Sequence, residues 1–175
     1  MIALKIYGFQ QSYSDYSLFS MNNGMIHLSV LVYVDDLIVA GNDSATIQRF
    51  KACLSTCFHM KDLGVLKYFL DVEIARSLEW FYLCQRKYAL DVISEAGLLG
   101  AKPALVHMEQ NHRLTLFTST LLVDPKSYRR LIGRLNYLCF TRSELSYGVH
   151  VLSQFMQQPK EDHWHAALWV VRYLK

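Results

Sequence analysis

The chain has 175 residues, a length that suits one compact domain or two small lobes with a shared core. Hydrophobic residues make up 52% and charged residues 19%, which allows a buried core and argues against global disorder. The most apolar stretch, residues 28–40, contains Asp35 and Asp36 and is shorter than the roughly 20 residues of a membrane span. Residues 1–5 do not resemble the start of a secretory signal. We therefore expect an intracellular protein, cytoplasmic or nuclear, with no membrane partner.

The net charge of +3 is unevenly distributed along the chain. Residues 1–64 and residues 65–100 each carry a net charge of −1, whereas residues 101–175 carry +5. A basic C-terminal part indicates a polyanionic partner. The alternative is that these are ordinary solvated surface charges.

The four cysteines, Cys53, Cys57, Cys84 and Cys139, lack the spacing of a disulfide framework. Cys53 and Cys57 lie four positions apart with His59 nearby, but a zinc site needs a fourth ligand and usually tighter pairs. We expect free structural thiols in a reducing compartment.

The first half of the chain is predicted to be rich in strands. Residues 28–34 and 37–40 carry many β-branched and aromatic side chains, which predicts two hairpin strands on either side of Asp35 and Asp36. Asp43 or Ser44 can cap a following helix. The apolar side of that helix is predicted to contain Ile47, Phe50, Leu54, Cys57 and Phe58. Residues 67–75 alternate as a strand does, with residues 80–84 as the hairpin partner.

The second half is predicted to be helical. Gly97 is placed to end a helix that carries Tyr88, Val92, Ile93 and Ala96 on one side. After a loop over residues 98–123, Asp124 and Pro125 suit a helix cap and first helical position. Apolar stripes predict three further helices, over residues 125–139, 144–156 and 163–174. The predicted fold class is therefore α+β, with two lobes.

Two adjacent aspartates inside an apolar hairpin require an explanation, because an unpaired buried carboxylate is costly. Successive strand residues point to opposite faces, so Asp35 and Asp36 can share a surface only at the turn between the strands. Carboxylate oxygens suit Mg²⁺, and two such ions can act together in phosphoryl transfer. Two carboxylates are too few to hold two ions well, so a further acidic ligand is expected. The alternative is a polar turn with two exposed aspartates.

The segment from Leu31 through Gly41, with Tyr-Val-Asp-Asp at 33–36, resembles the catalytic hairpin of reverse transcriptases. The longer context resembles the copia-type long-terminal-repeat retrotransposons, especially those of plants. The matching blocks are residues 8–12, 15–19, 31–41, 60–64, 66–70, 85–91, 97–100, 128–135, 152–156 and 172–175.

The resemblance implies a partial reverse-transcriptase palm of β-hairpins plus a helix over residues 1–84, followed by a helical thumb over residues 85–175. In that interpretation Asp35 is a metal ligand of the polymerase site, and Asp36 is a weaker ligand or an electrostatic partner. The implied cofactor is Mg²⁺ or Mn²⁺, which we do not expect these residues to hold firmly by themselves. Tyr33 is expected near the primer end or the incoming nucleotide.

The resemblance also implies a nucleic-acid surface. Residues 67–74 would form the primer-grip hairpin, with Tyr68, Phe69 and Leu70 near the primer. Basic thumb residues would lie along the template–primer backbone, where phosphate neutralisation gives a sequence-independent grip. These residues are Arg129, Arg130 and Arg134; the alternative is that each is a simple surface charge. The implied partners are an RNA or DNA template–primer, deoxynucleotides and the remainder of a polyprotein.

The chain departs from the family pattern in three respects. The family palm starts upstream of the position of Met1, and that part holds the other catalytic aspartate. Asp71 stands where the family usually has glycine, and an aspartate there adds negative charge near a primer phosphate. His107 stands at a usual proline, and Ser143-Glu144 replaces Pro-Asp, which resembles drift in an unselected copy.

These observations leave two main hypotheses for function. The first is a fragment of an RNA-directed DNA polymerase with two-metal nucleotidyl transfer in the intact protein, inactive when alone. The second is a degenerate transposon relic with at most weak, non-specific nucleic-acid binding. Nothing in the sequence specifically supports a third, an interaction module adopted by the host.

Overall fold

The computed structural model describes residues 2–58, 60–108, 114 and 119–175. The chain divides into two compact units, Met1–Leu66 and Lys67–Lys175. Within the described part of the chain, no helix combines the length and the apolar character needed to cross a membrane. All four cysteines are free, as the sequence predicts.

The first unit is built on a four-stranded antiparallel sheet with the strand order β1-β2-β3-β4. The strands are β1 (Gln10–Gln11), β2 (Leu18–Asn23), β3 (Ile26–Tyr33) and β4 (Asp36–Gly41), and helix α1 (Ile2–Tyr7) precedes them. The predicted hairpin is confirmed as β3 and β4, paired in register from Leu28–Gly41 to Tyr33–Asp36. The sequence pattern did not predict α1, β1 or β2.

One face of this sheet packs on helix α2 (Ser44–Phe58), which follows β4 as predicted. The Asp43 carboxylate accepts hydrogen bonds from the backbone amide and the hydroxyl of Thr46, which caps the helix. The buried core consists of Leu4, Phe9, Phe19, Leu28, Val30 and Phe50. Phe58 lies outside it and is exposed, so the predicted apolar side of α2 is buried only in part.

The second unit begins with a three-stranded antiparallel sheet of β5 (Tyr68–Phe69), β6 (Val72–Arg76) and β7 (Phe81–Cys84). The prediction of one strand over residues 67–75 is wrong, because Leu70 and Asp71 form a turn that pairs Phe69 with Val72. The primer-grip resemblance, which implied a hairpin over residues 67–74, matches this geometry. β7 pairs with β6, in agreement with the predicted second strand.

Four helices follow, namely α3 (Arg86–Glu95), α4 (Pro125–Leu138), α5 (Ser146–Ser153) and α6 (Glu161–Tyr173). A short 3₁₀ turn, Ser143–Leu145, precedes α5. Gly97 adopts a φ of 71°, and its amide together with that of Leu98 closes the end of α3. Asp124 caps α4 through Lys126 and Ser127, with Pro125 as the first helical residue, as predicted. Residues 109–113 and 115–118 of the predicted loop over 98–123 lie outside the described residues.

The helices enclose one hydrophobic core, in which Tyr128, Leu135, Leu138, Leu145 and Leu152 are fully buried. Burial raises the pKa of the Tyr128 phenol, and its hydroxyl donates a 2.8 Å hydrogen bond to the carbonyl of Leu152. His163 is also buried, with one ring nitrogen 3.1 Å from the carbonyl oxygen of Leu114 and its ring stacked on Phe155. Tyr128 and His163 therefore each have a backbone carbonyl as a partner.

The described residues thus form two small antiparallel sheets and six helices, which confirms the α+β class. The boundary between the two compact units falls between residues 66 and 67. The second sheet therefore belongs to the same unit as the four later helices. The division into a palm over 1–84 and a thumb over 85–175 stays a prediction.

Candidate active site

The two adjacent aspartates lie at the tip of the β3–β4 hairpin. Tyr33 is paired with Asp36, which leaves Val34 and Asp35 as a two-residue turn. Val34 has a φ of 49°, a conformation that a β-branched residue rarely adopts. Backbone strain of this kind concentrates at functional sites, so the turn is a candidate site on geometry alone.

The strand register decides which face of the sheet carries these side chains. Val32 and Leu37 form the neighbouring pair and pack against the core, so Tyr33 and Asp36 lie on the opposite face. Tyr33 is 51% exposed, and Asp35 and Asp36 are also exposed. The hairpin tip therefore presents one aromatic ring and two carboxylates to solvent.

The donor set at this tip consists of carboxylate oxygens, the ligands that Mg²⁺ and Mn²⁺ prefer. Asp35 and Asp36 fit part of a divalent-metal site, since both carboxylates are exposed and a hydrated cation can reach them. Among the described residues, no group of three or more histidine, cysteine, aspartate or glutamate side chains is placed to hold a metal ion. The pair thus matches the predicted role in ligand type but supplies only two carboxylates.

The second candidate feature is the turn between β5 and β6. Leu70 and Asp71 have φ values of 48° and 61°, so two successive non-glycine residues adopt the left-handed conformation. The hydroxyl of Tyr68 donates a 2.6 Å hydrogen bond to the Asp71 carboxylate. The hydroxyl of Tyr137 on α4 donates a hydrogen bond to the carbonyl of Leu70. Two tyrosine hydroxyls therefore hold a turn that contains no glycine.

The electrostatic surroundings of this turn are negative. The hydrogen bond to Asp71, partial burial and the charges of Asp71, Asp91 and Glu73 raise the pKa of Tyr68 to about 12. The ammonium of Lys87 lies 5.9 Å from the centre of the Tyr68 ring and supplies a positive charge. Tyr68 is 45% exposed, so it stays accessible to another molecule.

Two of the three predicted backbone-binding arginines share one partner. Arg130 lies 3.2 Å from a carboxylate oxygen of Glu95 on α3, and Arg134 pairs with the other oxygen of the same carboxylate. The guanidinium of Arg134 also lies 4.9 Å from the centre of the Tyr88 ring, which packs edge-on against Tyr137. A series of contacts therefore connects Arg134 to the β5–β6 turn.

The third arginine has a different arrangement. Arg129 donates a hydrogen bond of 2.7 Å to the carbonyl of Met156 and one of 3.3 Å to the carbonyl of Gln157. These bonds fix the segment that follows α5. The structure thus brings Arg130 and Arg134 together on one side of α4 and places Arg129 at a separate contact.

The other departures from the family pattern lie near the end of α6. The carboxylate of Glu144 pairs with Arg142, whose guanidinium lies 5.9 Å from the centre of the Tyr173 ring. The ring of His107 packs edge-on against the same tyrosine, with 5.6 Å between centroids. Ser143 begins the 3₁₀ turn. Glu144 and His107 therefore each contact a neighbouring side chain, and Ser143 is exposed.

Sequence reasoning missed Tyr137 and Glu95 as partners of the predicted site residues. Tyr137 meets Leu70 from 67 positions away in the sequence, and no local pattern signals such a contact. Glu95 stands near the end of a predicted helix among ordinary charges. Glu95 pairs with Arg130 and Arg134 because α3 and α4 lie side by side in the fold.

A family model described as reverse transcriptase (RNA-dependent DNA polymerase) matches residues 2–110. The chain therefore belongs to the reverse transcriptase family. Similarity to retrotransposon polyproteins of plants confirms the copia-type resemblance.

Three relatives illustrate this similarity. The Retrovirus-related Pol polyprotein from transposon RE2 of Arabidopsis thaliana is 43% identical over 167 residues, and that from transposon RE1 is 41% identical over 167 residues. The Pol polyprotein from transposon TNT 1-94 of Nicotiana tabacum is 31% identical over 185 residues. These alignments cover 95%, 95% and 98% of this chain but only 12%, 11% and 14% of the polyproteins. No solved structure matches the chain significantly.

Proposed function

We propose that this chain supplies the carboxylate hairpin and the primer-positioning hairpin of an RNA-directed DNA polymerase encoded by a retrotransposon. The observation that carries the proposal is the position of Asp35 and Asp36 at an exposed, strained turn, with Tyr33 and Asp36 on the face away from the core. Family membership supports the reaction type. The partners in the intact enzyme are a template–primer of RNA or DNA, deoxynucleotides and the rest of the polyprotein.

Asp35 and Asp36 are the residues that would hold a divalent metal, with Asp35 as the principal ligand. The chemistry that two such ions supply when bound is stabilisation of charge on the attacking and leaving oxygens of a nucleotidyl transfer. Tyr33 presents its ring beside the carboxylates and contributes an apolar surface for a base or sugar. Because the turn is exposed, a nucleic-acid end can approach it without unfolding the hairpin.

Tyr68, Phe69 and Leu70 form the second element of the proposal. Their turn is held by Tyr68 and Tyr137, which suits a part that positions the 3′ end of a primer. Arg130 and Arg134 contribute positive charge on α4 for a phosphate backbone, and Arg129 supports the fold beside them. Residues 1–84 would act as part of the palm and residues 85–175 as the thumb.

We further propose that these 175 residues do not polymerise DNA by themselves. Two adjacent carboxylates leave a divalent ion with mostly water ligands, so the ion would be bound weakly. A third carboxylate from another segment of the polyprotein would complete the site. The implied Mg²⁺ or Mn²⁺ is therefore a cofactor of the assembled enzyme.

A primer-extension assay tests this proposal. The purified chain is incubated with a primed RNA template, Mg²⁺ and deoxynucleotides. A retrotransposon polyprotein that contains these 175 residues is assayed in the same way as the positive control. We expect extension only by the polyprotein, and we expect Asp35→Asn in the polyprotein to abolish it. Extension by the 175 residues that depends on Asp35 would overturn the proposed inactivity. An active Asp35→Asn polyprotein would overturn the assignment of the site.

The basic charge of residues 101–175 favours a second candidate, a relic with weak and non-specific binding to nucleic acid. This candidate predicts binding at low salt that weakens steeply as salt rises, without any polymerase activity in the polyprotein. A titration at two salt concentrations measures it. Absence of binding at low salt would exclude this role.

A further inference from the structure

The groove between α3 and α4 contains two cations and one anion at its rim. It has a volume of about 180 Å³ and is lined by Val92, Glu95, Ala96, Ser127, Arg130, Leu131, Arg134 and Trp164. Glu95 faces both guanidiniums at once, with one carboxylate oxygen to each. This is the arrangement in which an oxyanion bridges two arginines.

Arg130 and Glu95 are exposed to solvent, and Arg134 is partly covered. The side chain of Arg130 is 66% exposed, that of Glu95 42% and that of Arg134 21%. Ion pairs between exposed side chains contribute little to stability, so their exchange for another partner costs little. The Tyr88 ring beneath Arg134 holds that guanidinium in place independently of Glu95.

We propose that the Glu95 carboxylate occupies the position of a nucleic-acid phosphate, and that strand binding exchanges Glu95 for a phosphodiester at Arg130 and Arg134. This inference rests on the proposed nucleic-acid role of these two arginines. A phosphodiester presents two anionic oxygens as a carboxylate does, and it satisfies the same pair of guanidiniums. Glu95 acts as an internal competitor that weakens binding and keeps the arginines paired when no strand is present.

The test measures binding of a short fluorescent RNA–DNA hybrid to the full chain by fluorescence anisotropy at several salt concentrations. Glu95→Gln keeps the shape of the side chain and removes the competing charge. We expect its affinity at low salt to rise on the order of fivefold and its salt slope to become steeper by about one. Glu79→Gln is the matched control, since it removes the same charge from an exposed position of the same unit and is expected to change binding much less.

A third variant shows whether the increase in affinity of Glu95→Gln depends on the arginines. In the double variant Glu95→Gln with Arg130→Gln, we expect most of the gain to disappear. If the gain persists there, or if Glu95→Gln and Glu79→Gln behave alike while the wild type binds, the exchange is overturned and the nucleic-acid role stands. If neither the wild type nor Glu95→Gln binds at low salt, the nucleic-acid role fails and the exchange fails with it. Circular dichroism confirms that each variant is folded.

Discussion

The hydroxyl of Tyr137 on α4 donates a hydrogen bond to the backbone carbonyl of Leu70, 67 positions earlier in the chain. Leu70 is the first residue of a turn with two successive positive φ values. The bond attaches this strained turn to a helix whose other side lies in the core. It therefore gives the second hairpin a defined position relative to the helices of its own unit.

Replacing Tyr137 by phenylalanine removes only this hydroxyl. We expect a loss of roughly 0.5–1.5 kcal/mol in the free energy of unfolding and faster hydrogen exchange at residues 69–72. Tyr82→Phe in the same sheet is the control, because its exposed hydroxyl lies on the outer strand β7. Equal exchange rates in the wild type and Tyr137→Phe would contradict this role.

The second prediction concerns the titration of Tyr68. Its pKa is raised to about 12, chiefly by the hydrogen bond to Asp71. The stabilisation linked to this shift is fully present below the unfolded value of about 10 and is lost as the pH rises through about 12. Asp71→Asn removes the charge, so the Tyr68 pKa should fall towards its ordinary value. Titration of ¹³C-labelled tyrosine rings by NMR, with Tyr68→Phe to assign the signal, measures this. An unchanged value in Asp71→Asn would show that Asp71 is not the cause.

The third prediction separates two neighbouring arginines. Arg129→Gln removes hydrogen bonds to two backbone carbonyls, and we expect it to lower the free energy of unfolding by about 1 kcal/mol. Arg130→Gln breaks only an exposed ion pair, so its effect on stability should be smaller, about 0–0.5 kcal/mol. Urea unfolding of both variants provides the comparison. The assignment fails if Arg130→Gln is the more destabilised of the two.

The fourth prediction concerns the cap of α4. Hydrogen bonds from the Ser127 hydroxyl and the Lys126 amide hold the pKa of Asp124 below its ordinary value. The stabilisation is therefore present above the ordinary pKa of an aspartate and is lost as the pH falls through the lowered value. Asp124→Ala should lower the Tm at neutral pH, whereas Asp124→Asn keeps an acceptor at the cap and should lower it less. Thermal scans from neutral to acid pH should show that the difference in Tm between the wild type and Asp124→Asn becomes smaller as the pH falls. A Tm difference that stays constant across that pH range would contradict stabilisation by the ionised Asp124 carboxylate.

Elements with strong local signals were predictable from the sequence. Asp43 before α2 and Asp124-Pro125 before α4 are capping signals that act within one turn, and both caps form. The apolar runs around Asp35 and Asp36 similarly identified β3, β4 and the turn between them. Each of these features depends on residues that are neighbours in the sequence.

Elements that depend on distant partners were not predictable. β2 is half polar, with Ser20, Asn22 and Asn23 among its six residues, and becomes a strand because β3 pairs with it along its length. The alternation of residues 67–75 continues through Leu70 and Asp71, and neither residue is a glycine that would signal a turn. The turn forms where the hydroxyls of Tyr68 and Tyr137 hydrogen-bond to it. Tyr137 lies on helix α4, far away in the sequence.

The central proposal is that Asp35 and Asp36 are the carboxylates that bind a divalent metal ion. Paramagnetic broadening by Mn²⁺ in the NMR spectrum of the 175-residue protein tests it directly, because broadening reports weak binding near the ion. We predict that Mn²⁺ broadens the amide signals of residues 33–37 first, and that Asp35→Asn with Asp36→Asn removes this effect. Asp15→Asn, at another exposed turn of the same unit, should leave it unchanged. Equal broadening in the Asp35→Asn, Asp36→Asn variant, or broadening centred elsewhere, would contradict the claim.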